Sequence, residues 1–450
     1  MLLFLFIIAI IPAIFVGNKF FKRDDISFID IYILGCTLYY LLIPYYTYYF
    51  TSIDKLDLEE CKASITLIAF YLYILLLVSI CTKRISILNM TLFIRLLNRR
   101  VVIPYNFVYI SIFISSLLLY KVTDYSALNA DNVEANNQLY FGSDMPLGLR
   151  VIWQFALQFR PILFLLTLKL LTYNFSKKKK YIIYFSLAIT TLSYLLGPKT
   201  LMTTAFLFCG IGYYSIYKSQ ISRKKIYAAI GIAAVLFMVV FPLSQAFRLT
   251  KQYVTSNTKA SFTTVLNNYI NMNDREKKLL EKKAEQFIQG RSTNVFDCFH
   301  SSCTHSFQGN GLLTMFVLKS MLPLKQSDLN VNGNILGDTY VGKGTDIGES
   351  VLAWFNADFR YWGLILAVLF MFIFYYSYYY YYKVFAKAFK SPLFYLPFIY
   401  LSFELSFAIE MNPSGFFHSF YVDYLIGAIL FGLIVRILSK TSLRKHYKYR

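Results

Sequence analysis

The sequence predicts an all-α polytopic membrane protein of about eleven transmembrane helices with one large external loop. Three observations carry that prediction. Hydrophobic residues make up 57% of the 450-residue chain and charged residues only 15%, against about 25% charged in soluble domains, and mean hydropathy is +0.49. The apolar residues gather into runs near the length of about twenty residues that crosses a bilayer as a helix. Between Ala246 and Ser350 the chain instead stays polar, and long segments of this kind in a compact protein are usually functional.

The elements follow in order. The first apolar run, 2–17, has no basic stretch before it and no small-residue cleavage site ahead of Lys19, Lys22 and Arg23. It therefore reads as a retained helix rather than a signal peptide. Runs at 27–50, 63–82, 101–123, 149–174, 181–197, 200–217 and 226–245 follow, and 360–382, 393–411 and 416–438 come after the polar stretch. Aromatic clusters such as Tyr45 to Phe50 and Tyr378 to Tyr382 sit at run ends. They suit headgroup-level belts, with sugar stacking as the alternative. No linker or repeat interrupts the chain, so 1–450 reads as a single integral membrane domain and 246–350 as a large loop within it.

The net charge of +21 is distributed as topology rather than as a nucleic-acid surface. One alternating set of loops holds Lys19, Lys22 and Arg23; Lys83, Arg84, Arg95, Arg99 and Arg100; Lys177–Lys180; Lys218, Arg223, Lys224 and Lys225; Lys383, Lys387 and Lys390; and the tail residues Arg444, Lys445, Lys448 and Arg450. The intervening loops are acidic or nearly uncharged; 124–147 holds Asp124, Asp131, Glu134 and Asp144 with no Lys or Arg. The positive-inside rule places the basic set in the cytoplasm. The N-terminus and the large loop are then external, the C-terminus internal, and the partner is a lipid bilayer, not nucleic acid.

Within the loop, Asn273 or Asp274 is placed to cap a helix running to about Gln289, with Gly290 as its stop. A second helical stretch is expected from Gly311 to Leu322, followed by a turn-rich run from Asn330 to Gly348. Cys298 and Cys303 lie where oxidation is allowed; they are either a disulfide or two small buried residues.

Candidate chemistry begins with absences. There is no phosphate-binding Walker loop, HExxH or CxxC pair, or GxSxG elbow, so ATP-driven transport and zinc hydrolysis have no support, and no cofactor or metal is expected. What remains is cationic. Arg150 and Arg160 fall at the start and middle of the fifth run. An intramembrane charge faces a cavity or a partner, so Arg160 is either functional or paired with an acid such as Glu404 or Glu410. Lys199 lies in the turn Gly197-Pro198-Lys199-Thr200, Arg248 at the end of the eighth run, Arg291 after the expected helix stop, and Arg360 at the start of the ninth run. Each alone reads as an ordinary snorkelling cation. Together they suit bidentate binding of phosphate, as on an anionic lipid headgroup. Asp346 and Glu349, just before the ninth run, are candidate general bases for a sugar hydroxyl or helix-start acids. His300 and His305 are alternative bases.

These features resemble the Wzy-type O-antigen and capsular polysaccharide polymerases. The resemblance lies in the layout, the Gly-x-basic turn at Lys199, Phe247-Arg248 at the start of the loop, Gly290-Arg291-Ser292-Thr293 within it, Met321-Leu322-Pro323 before a Gly/Asn-rich run, and Asp346-x-Gly348-Glu349-Ser350 leading into a span. It implies a GT-C-like glycosyltransferase in a bacterial inner membrane, with a periplasmic N-terminus and loop and a cytoplasmic C-terminus. Such an enzyme moves a growing glycan from undecaprenyl diphosphate onto a new lipid-linked repeat unit. It implies diphosphate binding by Lys199, Arg248 and Arg291, and a chain-length regulator as a protein partner. The chain departs from the pattern in having Lys199 where arginine is usual and Arg360 where glycine is common near the ninth span. A lipid-linked oligosaccharide flippase and an O-antigen ligase are the competing readings. The absence of a histidine across 340–360 weighs against the ligase.

Overall fold

The computed structural model describes residues 2–22, 25–50, 60–82, 88–89, 103–124, 147–195, 208–210, 267, 270–304, 350–389, 393, 395–405, 409, 413 and 424–446. In chain order these form α1 (Leu2–Lys22), β1 (Asp25–Ile26), α2 (Phe28–Thr37), a π-helical segment (Leu38–Leu42), α3 (Ile43–Phe50), α4 (Lys62–Cys81) and β2 (Leu88–Asn89). Then come α5 (Phe107–Asp124), α6 (Leu147–Leu170), α7 (Lys177–Leu195), α8 (Asp274–Thr304), α9 (Val351–Phe359), α10 (Tyr361–Phe389), α11 (Tyr395–Leu405) and α12 (Tyr424–His446). Apart from the antiparallel pairing of Asp25 with Asn89 and Ile26 with Leu88, the regular elements among the described residues are helices.

Among the described residues, three helical stretches are long and apolar enough to cross a membrane: Ile29–Tyr48, Lys62–Cys81 and Tyr361–Tyr381. Leu3–Lys19, Phe107–Leu119 and Tyr424–Leu438 are shorter apolar helices. The expected run 226–245 lies outside the described residues, and of 200–217 only 208–210 lies inside them.

The chain divides into two compact units. The first holds Met1–Phe93, Ile288–Lys390 and Phe398–Leu425. Its helices α1, α2 and α4 pack mutually, and α10 packs on α2 and α4. They are locked at one end by Asp30. Ser27 caps α2: its Oγ accepts from Asp30 N at 3.1 Å, and Asp30 Oδ2 accepts from Ser27 N at 2.8 Å and Ser27 Oγ at 3.0 Å. Asp30 Oδ1 accepts from Lys19 Nζ at 2.9 Å and Ser79 Oγ at 2.6 Å. A carboxylate that is 1% exposed is tolerated in apolar surroundings because an opposite charge and several donors satisfy it. One group thereby ties the end of α1, the start of α2 and the end of α4.

Between α2 and α3 the backbone widens. Ile43 N donates to Leu38 O, an i→i+5 bond typical of π-bulges. The helix continues without a break, and Tyr40 and Leu41 face inward, buried.

Helix α9 is nine residues long and is buried from Val351 to Asp358. Ser350 caps it, Oγ accepting from Ala353 N at 3.0 Å. The chain reverses at Arg360, whose φ of 52° and ψ of −131° end one helix and start the next. α10 then packs back on α9 so closely that a Cβ at Gly363 would lie 2.0 Å from the Phe355 carbonyl oxygen. Only glycine admits this approach.

The second unit holds Ile94–Phe287, Ser391–Pro397 and Ile426–Arg450. α5, α6 and α7 pack as a trio. Their seam is lined by hydroxyls: Ser111 and Ser115 share Thr190 Oγ1 at 3.3 and 2.8 Å, and Thr190 Oγ1 also donates to Ser186 O at 2.8 Å. Small hydroxyl residues let apolar helices approach and bond where lipid offers no hydrophobic drive. Phe159 of α6 stacks on Phe155 and on Phe431 of α12.

Candidate functional site

The last three turns of α8 turn a loop segment into part of the core. Val295, Phe296, Cys298 and Phe299 are buried within the first unit. Phe296 and Phe299 make edge contacts with Tyr48 and Tyr40. The polar side chains between them are also engaged. The Tyr48 hydroxyl donates to Asp297 Oδ1 in a short hydrogen bond. His300 stacks on Phe296, with centroids 6.2 Å apart and planes 8° apart, and its Nδ1 lies 3.0 Å from Ser64 Oγ. Asn356 Nδ2 donates to Ser302 Oγ at 2.9 Å and to Cys303 Sγ at 3.5 Å.

The ends of the helices locate this cluster. Tyr48 closes the stretch that Asp30 opens, and Ser64 opens the helix that Ser79 closes. The Asp297–His300 segment therefore sits at the end of the unit remote from the Lys19–Asp30–Ser79 lock. Arg360 belongs to the same end as His300. Its N–H donates to Asn356 O at 2.7 Å, and Asn356 in turn holds Ser302. Arg360 is exposed, and Tyr361 and Trp362 beside it are 74% and 72% exposed.

His300 is 9% exposed. If Ser64 donates to Nδ1, the proton of the neutral ring sits on Nε2; in the other tautomer Nδ1 donates to Ser64 and Nε2 is the acceptor nitrogen. Burial pushes the Cys303 thiol above its ordinary range, which hydrogen bonds from Ser64, Ser302 and Asn356 partly oppose. A half-buried protonated thiol is a poor nucleophile. No group of three metal-ligating side chains occurs among the described residues.

Arg160 belongs to the second unit. It is 2% exposed, and its Nη1 donates to Ser193 O at 2.8 Å and Ser193 Oγ at 2.9 Å. Ser193 Oγ in turn donates to Thr190 O at 2.7 Å, so the guanidinium caps the hydroxyl seam of α7. Arg160 lies ten residues before the end of α6, roughly 15 Å along the axis.

Several expectations are corrected. Gly290 does not stop the loop helix; α8 runs on to Thr304, and Arg291 lies inside it. Glycine costs a helix about 1 kcal/mol, and the burial of Val295 to Phe299 outweighs that. Asn273 does cap α8, exchanging bonds with Glu276 at 2.9 and 3.1 Å. Cys298 and Cys303 are free thiols. Five residues apart on one helix they diverge by roughly 140°, beyond disulfide geometry. Arg360 closes α9 and forms the reversal rather than beginning the ninth run. Arg150 and Arg291 lie in helices whose side chains at those positions fall outside the description, and Lys199, Arg248, His305, Asp346 and Glu349 lie outside the described residues. The expected 311–322 helix and the 330–348 turns lie outside them too. Tyr48, Ser64, Asp297, Ser302 and Asn356 were not singled out from sequence. The only hint was a pair of polar residues, Asn356 and Asp358, inside the otherwise apolar run from Val351 to Phe359.

Comparison with family models, curated proteins and solved structures finds no match to this chain.

Proposed function

We propose that the chain is a polysaccharide polymerase of the Wzy type in a bacterial inner membrane. It has about eleven spans, and residues 246–350 form its periplasmic loop. The enzyme moves a growing glycan from undecaprenyl diphosphate onto the sugar of a new lipid-linked repeat unit. The observation that carries this reading is the docking of Asp297–His300 at the helix ends remote from the Lys19 lock. Lys19, near the end of α1, belongs to the basic set that the positive-inside rule assigns to the cytoplasm, so docking at the opposite end suits a polar loop that assembles on the outer face. The exposed Arg360, beside interfacial Tyr361 and Trp362 at that end, suits an anionic headgroup.

In the proposed reaction the bond between the donor sugar's anomeric carbon and the diphosphate oxygen breaks. A bond from the acceptor hydroxyl oxygen to that carbon forms. The diphosphate leaves with the electron pair, its charge met by a cation on the outer face, for which Lys199, Arg248, Arg291, Arg150 and Arg360 are each candidates; Arg160, buried and bonded to Ser193, is not. Preorganised cations of this kind stabilise charge as it develops. Glu349 takes the acceptor proton, with Asp346, His300 and His305 as alternatives. No nucleotide is consumed.

The test is reconstitution of the purified chain in lipid with an undecaprenyl diphosphate-linked repeat unit and no nucleotide. A ladder of lengthening lipid-linked glycans supports the reading. Transbilayer movement of the lipid-linked sugar without a ladder assigns the chain to flippases, and single additions to a lipid A core assign it to ligases.

A further inference from the structure

The start of α7 breaks an electrostatic rule. Its first four residues are Lys177, Lys178, Lys179 and Lys180, and no acid lies in the first turn. A helix N-terminus already carries partial positive charge, and like charges three residues apart repel. Topology alone needs cations only somewhere in this loop; it does not need four in a row at this end of a helix. No ion pair reaches any of the four among the described residues, and Lys177 to Lys179 are exposed.

The lysines stand on a built surface. Lys179 Nζ lies 5.3 Å from the Tyr105 ring centroid and 5.6 Å from that of Phe175. Those rings meet edge to face at 5.3 Å, with Tyr109 beside Tyr105 and Tyr173 beside Phe175. The Tyr105 hydroxyl donates to Lys179 O at 3.2 Å, and Ile103 N donates to the Tyr173 hydroxyl at 3.3 Å. The segment before α5, the turn after α6 and the start of α7 thus form one aromatic shelf under the ammonium groups. Beyond it, α7 exposes Tyr181, Tyr184 and Phe185 at 71%, 55% and 56%, an apolar surface that places the lysines at the level where a bilayer's phosphates lie.

We propose that this shelf binds the phosphates of anionic phospholipid headgroups in the leaflet it faces. Lysines at such a surface each strengthen attraction to anionic lipid, and the helix N-terminus adds to the same field. Cation–π contacts hold Lys179 in place, which lowers the entropy lost on binding. This proposal is independent of the polymerase reading.

The test uses the full chain in phosphatidylcholine nanodiscs titrated with phosphatidylglycerol, with retained lipids counted by native mass spectrometry. The native chain should hold phosphatidylglycerol selectively and lose it at high salt. Lys→Gln replacement at 177–180 should weaken retention about fivefold for each lysine removed, and Lys→Arg at all four should preserve it. Should the fourfold Gln variant fold poorly in phosphatidylcholine, Tyr105→Leu tests the shelf at constant charge and should also weaken retention. Equal retention by the native chain and the Gln variant, or by the native chain and Tyr105→Leu, overturns the proposal, as does retention that ignores headgroup charge.

Discussion

Replacing Arg360 by glycine should make the protein more stable. The residue sits at φ 52° and ψ −131°, the only positive-φ non-glycine among the described residues. A side chain in such a region costs on the order of 1–3 kcal/mol. Glycine removes that cost but forfeits about 0.5–1 kcal/mol of backbone entropy on folding. The net gain is about 1 kcal/mol, which in a chain this long raises the melting temperature by roughly 1–2 °C. Arg360→Ala is the control, because it removes the guanidinium and keeps the Cβ. Both variants should be melted in one detergent by scanning fluorimetry. Arg360→Gly should melt above the native chain, and Arg360→Ala should not. In the polymerisation assay the two should lose activity alike, since both remove the proposed phosphate contact. If the two variants melted together, the backbone at 360 would carry no strain and the argument would fail.

The remaining predictions concern packing and charge. Gly363→Ala drives a Cβ into the Phe355 backbone, which cannot swing aside as a side chain would; a loss of about 3 kcal/mol is expected, read as a lower melting temperature. Asp30→Ala strands Lys19, whose side chain is 13% exposed, and should cost about 3–5 kcal/mol; pairing Lys19→Met with Asp30→Leu should recover most of it. Ser64→Ala removes the hydrogen-bond partner of His300 Nδ1 and should lower stability by about 1–3 kcal/mol, measured by thermal unfolding. Because burial raises the Cys303 pKa, less thiolate is present at neutral pH. Maleimide should therefore label Cys303 more slowly in the folded protein than in the unfolded chain, and the folded rate should still climb at pH values where the unfolded rate has levelled off.

What was legible in the sequence was local. Ala-to-Val-sized and larger apolar residues in runs mark Ile29–Tyr48, Lys62–Cys81 and Tyr361–Tyr381 without help from tertiary structure, and Asn273 announces its helix through the acid three residues on. The place of Arg160 inside a helix also follows from its place in a run. Its bond to Ser193 does not, because hydroxyls in a helix carry no mark of the partner they face. The Tyr48–Asp297 and Ser64–His300 contacts bridge 249 and 236 residues, and no periodicity records such a pairing. Gly290 misleads for the same reason: its local preference for a stop is overruled by burial several residues later. At Arg360 the backbone is left-handed, a conformation that glycine adopts without strain.

The widened turn at Leu38–Leu42 sets the phase between the two anchors of its helix. Asp30 below it and Tyr48 above it each point to a fixed partner, and each residue along an α-helix turns the next by about 100°. The i→i+5 turn absorbs one residue that regular winding has no place for. Deleting a single residue there would leave a straighter, more regular helix with Asp30 and Tyr48 still in phase, whereas rewinding the turn as regular α-helix without a deletion would rotate Tyr48 by about a quarter-turn away from Asp297 while Asp30 stayed on Lys19. The irregular turn thus works as a splice that lets one continuous helix keep two appointments set by different parts of the chain.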